Sequence, residues 1–410
     1  MNAKQKELWG ERKIMNKLKV VQIGLGGRGY SLYDECLKYR KDPDFVGFCD
    51  VEQSRAEKAA ETAVAMGYAK PAVYVDYKKC LDECKPDVAI VTTSWLAHVE
   101  ICMYAMEKGI AVGSEVGGSY TIQQLWEMIR CYERTKTPIM FLENCCYGRL
   151  ELLALNMKRL GLLGEIVHCE GGYRHDLRGE VAKGVTGEHY RFQEYLHRNG
   201  DNYPTHDIGP IAMLLDINRG NCFTHLYSMS SKAVGMAAYA EKTGNEQLRG
   251  VKFNQGDVVT TLLKCQNGET VTLTLDTTLP RYYSRGFLVQ GTNGILSEDC
   301  DGALIEDVVG CHQRKKCLGN VEELYKKYEH PLWQKEYERV NGHGGIDERV
   351  LDEFFCAVKE GREMPIDVYD MATWMCITTL SEQSIATGQS VPFPDFTNGA
   401  WVRRKNNFAK

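Results

Sequence analysis

Three glycines and one acid carry the clearest chemistry in the chain. Gly24-x-Gly26-x-x-Gly29 follows directly on the apolar run Val20-Val21-Gln22-Ile23. A second apolar run, residues 45–49, ends in Asp50, which lies 21 residues after Gly29. Strand, glycine loop, helix, strand and terminal acid in that order form a dinucleotide-binding pattern. The glycines permit a tight turn and close backbone approach to a pyrophosphate, whose charge rests on the helix N-terminus. A carboxylate at Asp50 can take the hydroxyls of an adenosine ribose, which favours NAD over NADP. With 39 glycines in the chain the triplet alone is weak evidence. The strand before it and the acid after it supply the weight.

The surrounding elements must hold these groups in place. Up to about residue 145 the pattern alternates strand and helix. Runs at 88–91, 110–112 and 138–142 end in Thr92-Thr93-Ser94, Ser114-Glu115 and Glu143-Asn144. Residues 121–134 predict a helix, with Thr121 and Gln124 at capping-box spacing and Ile122, Leu125, Trp126 and Ile129 on one face. Such repeats imply a parallel sheet whose strands bind ligands at their carboxyl ends. Trp95, His98, Glu115 and Asn144 occupy those ends and fit cofactor contacts, together with Arg28, Leu96 and Val116 beside them, although Trp95 alone could equally be core.

After about residue 148 the texture changes. A helix is expected over 149–161, then strands over 166–173, 258–265, 270–277 and 286–290. The alternation Thr270-Val271-Thr272-Leu273-Thr274-Leu275 suits a sheet with one covered face. Val350, Leu351, Phe354, Phe355 and Val358 line one face of a late helix, and another is expected over 371–386, stopped by Gly388. The fold class is therefore α/β. A Rossmann dinucleotide domain, 18–148, follows an N-terminal arm, 1–17. It precedes an α+β domain, 149–410, with an open, largely antiparallel sheet and C-terminal helices that can pack back on the first domain.

Bulk composition narrows the class. A chain of 410 residues makes about two domains. The 43% hydrophobic and 26% charged content is that of a globular protein. A net charge of −5 argues against a nucleic-acid binder, and the clusters Arg314-Lys315-Lys316 and Arg403-Arg404-Lys405 read as solvated surface. Sixteen cysteines, several in buried elements and two adjacent (Cys145, Cys146), read as reduced thiols. Cys80/Cys84 and Cys311/His312/Cys317 lack the second half of a zinc site, so no metal is expected. No run of ~18 apolar residues suggests a membrane span, and the charged N-terminus lacks a signal-peptide core. A cytoplasmic protein is the expectation.

A Rossmann half followed by an open-sheet half resembles the Gfo/Idh/MocA family of sugar-handling oxidoreductases over nearly the whole chain. Within it, the chain resembles the NAD-dependent family-109 glycoside hydrolases. The segments that carry this are Gly24-Leu-Gly-Gly-Arg-Gly29, Trp95-Leu-Ala-His98, Glu115-Val-Gly-Gly118, Glu143-Asn-Cys-Cys-Tyr-Gly148, Tyr173-Arg-His-Asp-Leu-Arg178, Tyr203-Pro-Thr-His206 with Gly209-Pro210, Asp216-Ile-Asn-Arg-Gly220 and Tyr283-Ser-Arg285. Ordinary members carry Glu-Lys-Pro after the Glu115 strand, where the lysine assists hydride transfer. Here the row reads Glu115-Val116-Gly117. A valine moves no proton, so a net dehydrogenase lacks its acid/base unless another residue supplies it.

The resemblance implies a glycosidase route outside the usual two-carboxylate scheme. The sugar, an N-acetylgalactosaminide by the same resemblance, is oxidised at C3 on bound NAD, loses its C2 proton, expels the aglycone from C1, adds water and is reduced again. That scheme needs proton carriers near C2 and C3. An imidazole titrates near pH 6.5, and His206 occupies the family's active-site histidine position. Pro204 restrains the backbone between Tyr203 and His206. The resemblance gives Tyr203 a contact to both nicotinamide and sugar, and Thr205 a place in the same substrate segment. Tyr173, at a strand end, can act as base or bind a hydroxyl, but a tyrosine base needs a depressed pKa. His175 is a second proton carrier on the strength of its closeness to Tyr173. Arg191 matches a substrate-binding arginine, although a lone arginine is by default a surface residue. Tyr283 is carried over likewise, with Tyr282 competing. Open-sheet domains of this type often pair face to face, so a homo-oligomer is compatible with the reading. A net sugar or polyol dehydrogenase and a non-catalytic dinucleotide sensor stand as alternatives.

Overall fold

A computed structural model of the chain describes residues 17–117, 119, 121–187, 189–305, 319–337 and 341–409. Almost all of the N-terminal arm, Gly118, the Cys311/His312/Cys317 group and the basic cluster at 314–316 lie outside the described residues. The chain forms two compact units, one of residues 1–144, 337–372 and 407–410, the other of residues 145–336 and 373–406.

The first unit is built on a six-stranded sheet of β1 (Leu18–Ile23), β2 (Pro43–Cys49), β3 (Ala72–Tyr74), β4 (Val88–Val91), β5 (Ala111–Ser114) and β6 (Ile139–Phe141). Its strands run parallel in the order β3-β2-β1-β4-β5-β6. The order reverses beside β1, and ligands bind such sheets at that switch point, beyond the strand carboxyl ends. β4 is Val-Ala-Ile-Val with every residue buried, the uninterrupted apolar run of a strand covered on both faces. The helix Ile122–Thr135 starts with the capping box expected of Thr121 and Gln124.

The second unit holds an eight-stranded sheet. It comprises β7 (Ile166–Arg174), β8 (Phe223–Ser230), β9 (Val258–Cys265), β10 (Thr270–Asp276), β11 (Leu288–Gly291), β12 (Gly294–Ser297), β13 (Gly302–Ile305) and β14 (Val391–Pro392). The order is β13-β12-β11-β7-β10-β9-β8-β14, antiparallel except where β10 meets β7. Val259, Thr261, Leu263 and Cys265 of β9 are buried while Thr260, Leu262 and Lys264 between them are exposed, so one face is covered. The helix Thr205–Leu214 packs on β7 and on the helix Arg149–Arg159. This brings the first turn after Pro204 against the strand that carries Tyr173. The late helix expected over 371–386 spans Val368–Thr387. No helix among the described residues is long and apolar enough to cross a membrane.

Candidate active site

In the first unit the three loop glycines do different jobs. Gly24 has φ 92°, and a Cβ there would lie 2.6 Å from the Thr92 backbone. A Cβ on Gly29 would lie 2.2 Å from the Gly24 carbonyl oxygen. Both are required by the protein's own packing. Gly26 is different, since a Cβ there would meet nothing within 4 Å. Gly26 is also the N-cap of the helix Gly27–Glu35, and no side chain caps it. Open space in front of uncapped helix N–H groups is what a bound pyrophosphate needs. Below the loop, Gln22 Nε2 donates to the Gly29 carbonyl (2.7 Å) and the Thr92 hydroxyl donates to the Gly24 carbonyl. Asp50 accepts the Leu25 N–H (2.6 Å) and the Glu52 N–H (2.9 Å), so it braces the loop that it also faces.

A polar cluster stands beside this loop. Arg28 Nε and Nη2 donate to one Glu115 oxygen (3.1 and 2.8 Å). Arg28 Nη1 and Nη2 donate to the two Asp347 oxygens (2.8 and 2.9 Å). Asn144 Nδ2 donates to Asp347 Oδ1 (2.7 Å), while Asn144 Oδ1 is buried with no hydrogen-bond partner. Burial of Asp347 opposes its ionisation, but His343 and Arg28 outweigh that and hold its carboxyl below the usual range. An orphaned buried acceptor and an open glycine cradle fit a dinucleotide, with Gly26, Asp50, Glu115 and Asn144 as the residues to hold it.

Other expected cofactor residues serve the backbone first. Trp95 and His98 support the turn after β5. A Cβ on Gly117 would collide with the Trp95 indole, and His98 Nδ1 lies 3.1 Å from the Gly117 carbonyl oxygen. The carbonyl oxygen only accepts, so His98 Nδ1–H donates to it, and burial pushes the imidazole pKa down. Val116 is buried. Leu96 is 75% exposed.

In the second unit the expected substrate residues gather. The Tyr173 ring lies 4.5 Å from that of Tyr203 and 5.8 Å from that of His206. Tyr203 and His206 meet edge to face at 4.8 Å, with Tyr203 Oη 3.3 Å from His206 Nε2. Pro204, at φ −79°, caps the helix that carries His206 and fixes that spacing. Thr205 is buried in its first turn. His175 Nδ1 lies 3.5 Å from Tyr173 Oη, and the His175 ring stands 5.1 Å from that of Tyr283. Tyr282 is 73% exposed with Arg281 against its ring, so Tyr283 is the tyrosine of the cluster. Arg191 is buried, not on the surface, and its guanidinium lies 5.1 Å from the Tyr203 ring.

The electrostatics correct one expectation. Burial pushes the Tyr173 phenol well above its ordinary value, against a lowering by Arg191, so Tyr173 is not a pre-ionised base. Burial and then Arg191 push His175 down, which leaves it neutral and able to accept a proton. Burial pushes Tyr283 up to about 12.

Sequence reasoning gave no role to several residues here. Arg285 binds Glu151 through Nε (2.9 Å) and Nη2, and reaches Tyr283 Oη at 3.5 Å through Nη1. In the first unit, Asp347 and His343 were unread. Their one visible signal was the glycine-rich row Asn341-Gly-His-Gly-Gly345.

Comparison with known proteins bears on both units. Residues 18–141 match the family described as oxidoreductase family, NAD-binding Rossmann fold. Residues 147–403 match the glycosyl hydrolase 109 C-terminal domain. The chain belongs to glycoside hydrolase family 109. Like others of that family, it is a glycoside hydrolase with an NAD-binding Rossmann domain. A glycosyl hydrolase family 109 protein of Stenotrophomonas maltophilia is 40% identical, covering 96% of this chain and 92% of that one. An alpha-N-acetylgalactosaminidase of Shewanella oneidensis is 38% identical, covering 96% and 88%. Among solved structures, an NAD binding oxidoreductase of Klebsiella pneumoniae superposes with TM-score 0.70 at 16% identity, covering 93% of this chain and all of that one. Levoglucosan dehydrogenase in complex with NADH gives TM-score 0.69 at 20% identity, covering 92% of this chain and all of that one. At these identities the likeness shows the fold alone.

Proposed function

We propose that this family-109 hydrolase cleaves α-N-acetylgalactosaminides by transient oxidation of the sugar, with Gly26, Asp50, Glu115 and Asn144 holding the dinucleotide. The observation that carries the reading is the cluster of Tyr173, His175, Tyr203 and His206, two hydroxyl–imidazole pairs with rings 4.5–5.9 Å apart. When bound, NAD supplies reversible hydride acceptance, here at sugar C3.

The two pairs divide the proton transfers. The Tyr203–His206 pair takes the C3 hydroxyl proton as C3 becomes a ketone and returns it on re-reduction. The ketone acidifies C2–H. Tyr173, a neutral phenol, accepts that proton as it passes its own to neutral His175, and the C1–oxygen bond to the aglycone breaks in the same elimination, the bond's electrons leaving on the aglycone oxygen. Water then adds its hydroxyl at C1 while its proton neutralises the departed aglycone oxygen, and the Tyr173–His175 pair, its proton exchanged with solvent, protonates C2. Buried Arg191 presents a fixed donor fork to hydroxyl or acetamido oxygens. Tyr283, steadied by Arg285, closes the cluster beside His175. Val116 supports recycling over net dehydrogenation, because the lysine that serves as acid/base in the ordinary dehydrogenases is missing there.

The test is a panel of nitrophenyl glycosides in heavy water. Aglycone release with deuterium at sugar C2 and no net NADH is expected. NADH accumulating without aglycone release would mean a net dehydrogenase. His206→Ala should abolish turnover while NAD stays bound, and full activity in that variant removes His206 from the scheme. His175→Ala should lose C2 exchange above all.

Two coarser matters follow. Exposed Met229 and Leu262, on the same face of the eight-stranded sheet, support pairing with a second copy. Free thiols throughout the described residues support a reducing compartment, the cytoplasm.

A further inference from the structure

The row Asn341-Gly-His-Gly-Gly345 adopts a conformation that needs a reason. Gly342, His343, Gly344 and Gly345 all have positive φ, at 56°, 50°, 70° and 93°. Glycine accepts this freely, but His343 does so at a cost of order 1 kcal/mol or more. A residue held in a left-handed conformation between glycines is placed there for its side chain. His343 Nδ1 lies 2.9 Å from Asp347 Oδ2 and 3.3 Å from Arg28 Nη1. The carboxylate accepts, so Nδ1 carries the proton and Nε2 is turned away from Asp347. The side chain is 57% exposed beside the glycine-loop arginine.

The charges around it explain the choice of histidine. Arg28 is flanked by two carboxylates, Glu115 at 2.8 Å and Asp347 at 2.8 Å. The charged groups facing His343 are Arg28, Asp347 and Glu115, with Glu35 accepting the neighbouring Gly342 N–H. Arg28 alone leaves this set negative, which opposes a doubly charged pyrophosphate at the nearby helix N-terminus. A protonated His343 offsets one of those charges and presents Nε2–H as a donor.

We propose that His343, oriented by Asp347, is a dinucleotide-binding residue of this hydrolase and that its protonation is linked to cofactor retention. The inference rests on the NAD reading and extends it to a segment 315 residues downstream of Arg28. A glycosidase that regenerates its dinucleotide in every cycle gains from holding it between turnovers, unlike a net dehydrogenase. Asp347 is the positioning residue, and the direction agrees, since its hydrogen bond raises the His343 pKa.

The experiment uses the full chain loaded with NADH, chased with excess NAD, and follows loss of bound NADH fluorescence from pH 6 to 8.5. Release from the unmodified protein should speed up as pH rises through the His343 pKa. His343→Gln should release NADH about tenfold faster at pH 6, the size of one charge-assisted hydrogen bond, with a flat pH profile and an unchanged Tm for the dinucleotide-free protein. Asp347→Asn should flatten the same profile, and Asp347→Glu should restore part of it. Unaltered release and pH dependence in His343→Gln overturn the proposal alone. Failure of the unmodified chain to load NADH sinks the cofactor reading with it. An equal fall in Tm of the dinucleotide-free His343→Gln protein makes the residue structural and overturns the proposal too.

Discussion

Asp201 offers a test of the electrostatics beneath the second-unit cluster. It is buried two residues before Tyr203. Its own N–H donates to Ser381 Oγ (2.9 Å), and Gln255 clamps Gly200 just before it through Gly200 N (3.2 Å) and O (3.0 Å). Burial pushes the Asp201 carboxyl up to about 7, against lowering by the Thr261 hydroxyl and the Tyr203 amide. The sign follows from proton counting. Between about pH 4 and pH 7 the unfolded chain has released this proton while the folded protein keeps it, so stability falls as pH rises. The contribution is full below the unfolded pKa and gone above the folded one. At 1.36 kcal/mol per unit it amounts to about 2.7 kcal/mol at pH 5 and close to zero at pH 8. Asp201→Asn has the same shape and does not titrate. Urea unfolding of both proteins at pH 5, 6.5 and 8 should show the wild-type advantage shrinking by roughly 2.6 kcal/mol across that range. Taking the difference between the two proteins cancels every other titrating group. A difference that is constant with pH, or that grows, would refute the assignment of a proton to buried Asp201.

Two further outcomes follow from contacts. Gly26→Ala should fold with wild-type Tm, since its Cβ meets no protein atom, yet lose NAD affinity, whereas Gly29→Ala should lose about 3 kcal/mol of stability through collision with the Gly24 carbonyl; thermal melts with and without NAD separate the two. Arg191→Lys keeps the charge but loses the planar fork held over Tyr203, so KM for the glycoside should rise about tenfold with a smaller change in kcat, read from steady-state kinetics.

Much of this was legible from residue types because it is local. The glycine loop, the strand-end acid, the Thr121–Gln124 cap and the one-in-two burial of β9 and β10 depend on neighbours a few residues apart. Tyr203 and His206 came from the resemblance, with Pro204 as the local restraint, and the structure sets their rings 4.8 Å apart across the start of the helix Thr205–Leu214. What escaped depends on the third dimension. The Tyr173 base was conceivable from sequence, and only its burial turns the phenol into a poor one. Trp95 and His98 read as ligand contacts, and what the sequence did not show is that both also brace the Gly117 turn.

The Arg28 cluster shows why the remaining part was out of reach and what that implies. Arg28 lies 319 residues from Asp347, and Asn144 lies 203 from it. No spacing rule connects such positions, and an aspartate within an apolar helical row reads as the polar edge of a helix. Yet Asp347 is fully buried and accepts from Arg28, Asn144 and His343 together. A buried carboxylate with three donors is costly to desolvate and worth keeping only if the geometry of those donors matters. Two of the three come from segments that already read as cofactor contacts. The charge of Asp347 is thus best explained by what it orients, and the third donor, His343, inherits the same explanation. If that logic fails, replacing Asp347 by asparagine should change stability and leave dinucleotide release untouched at every pH.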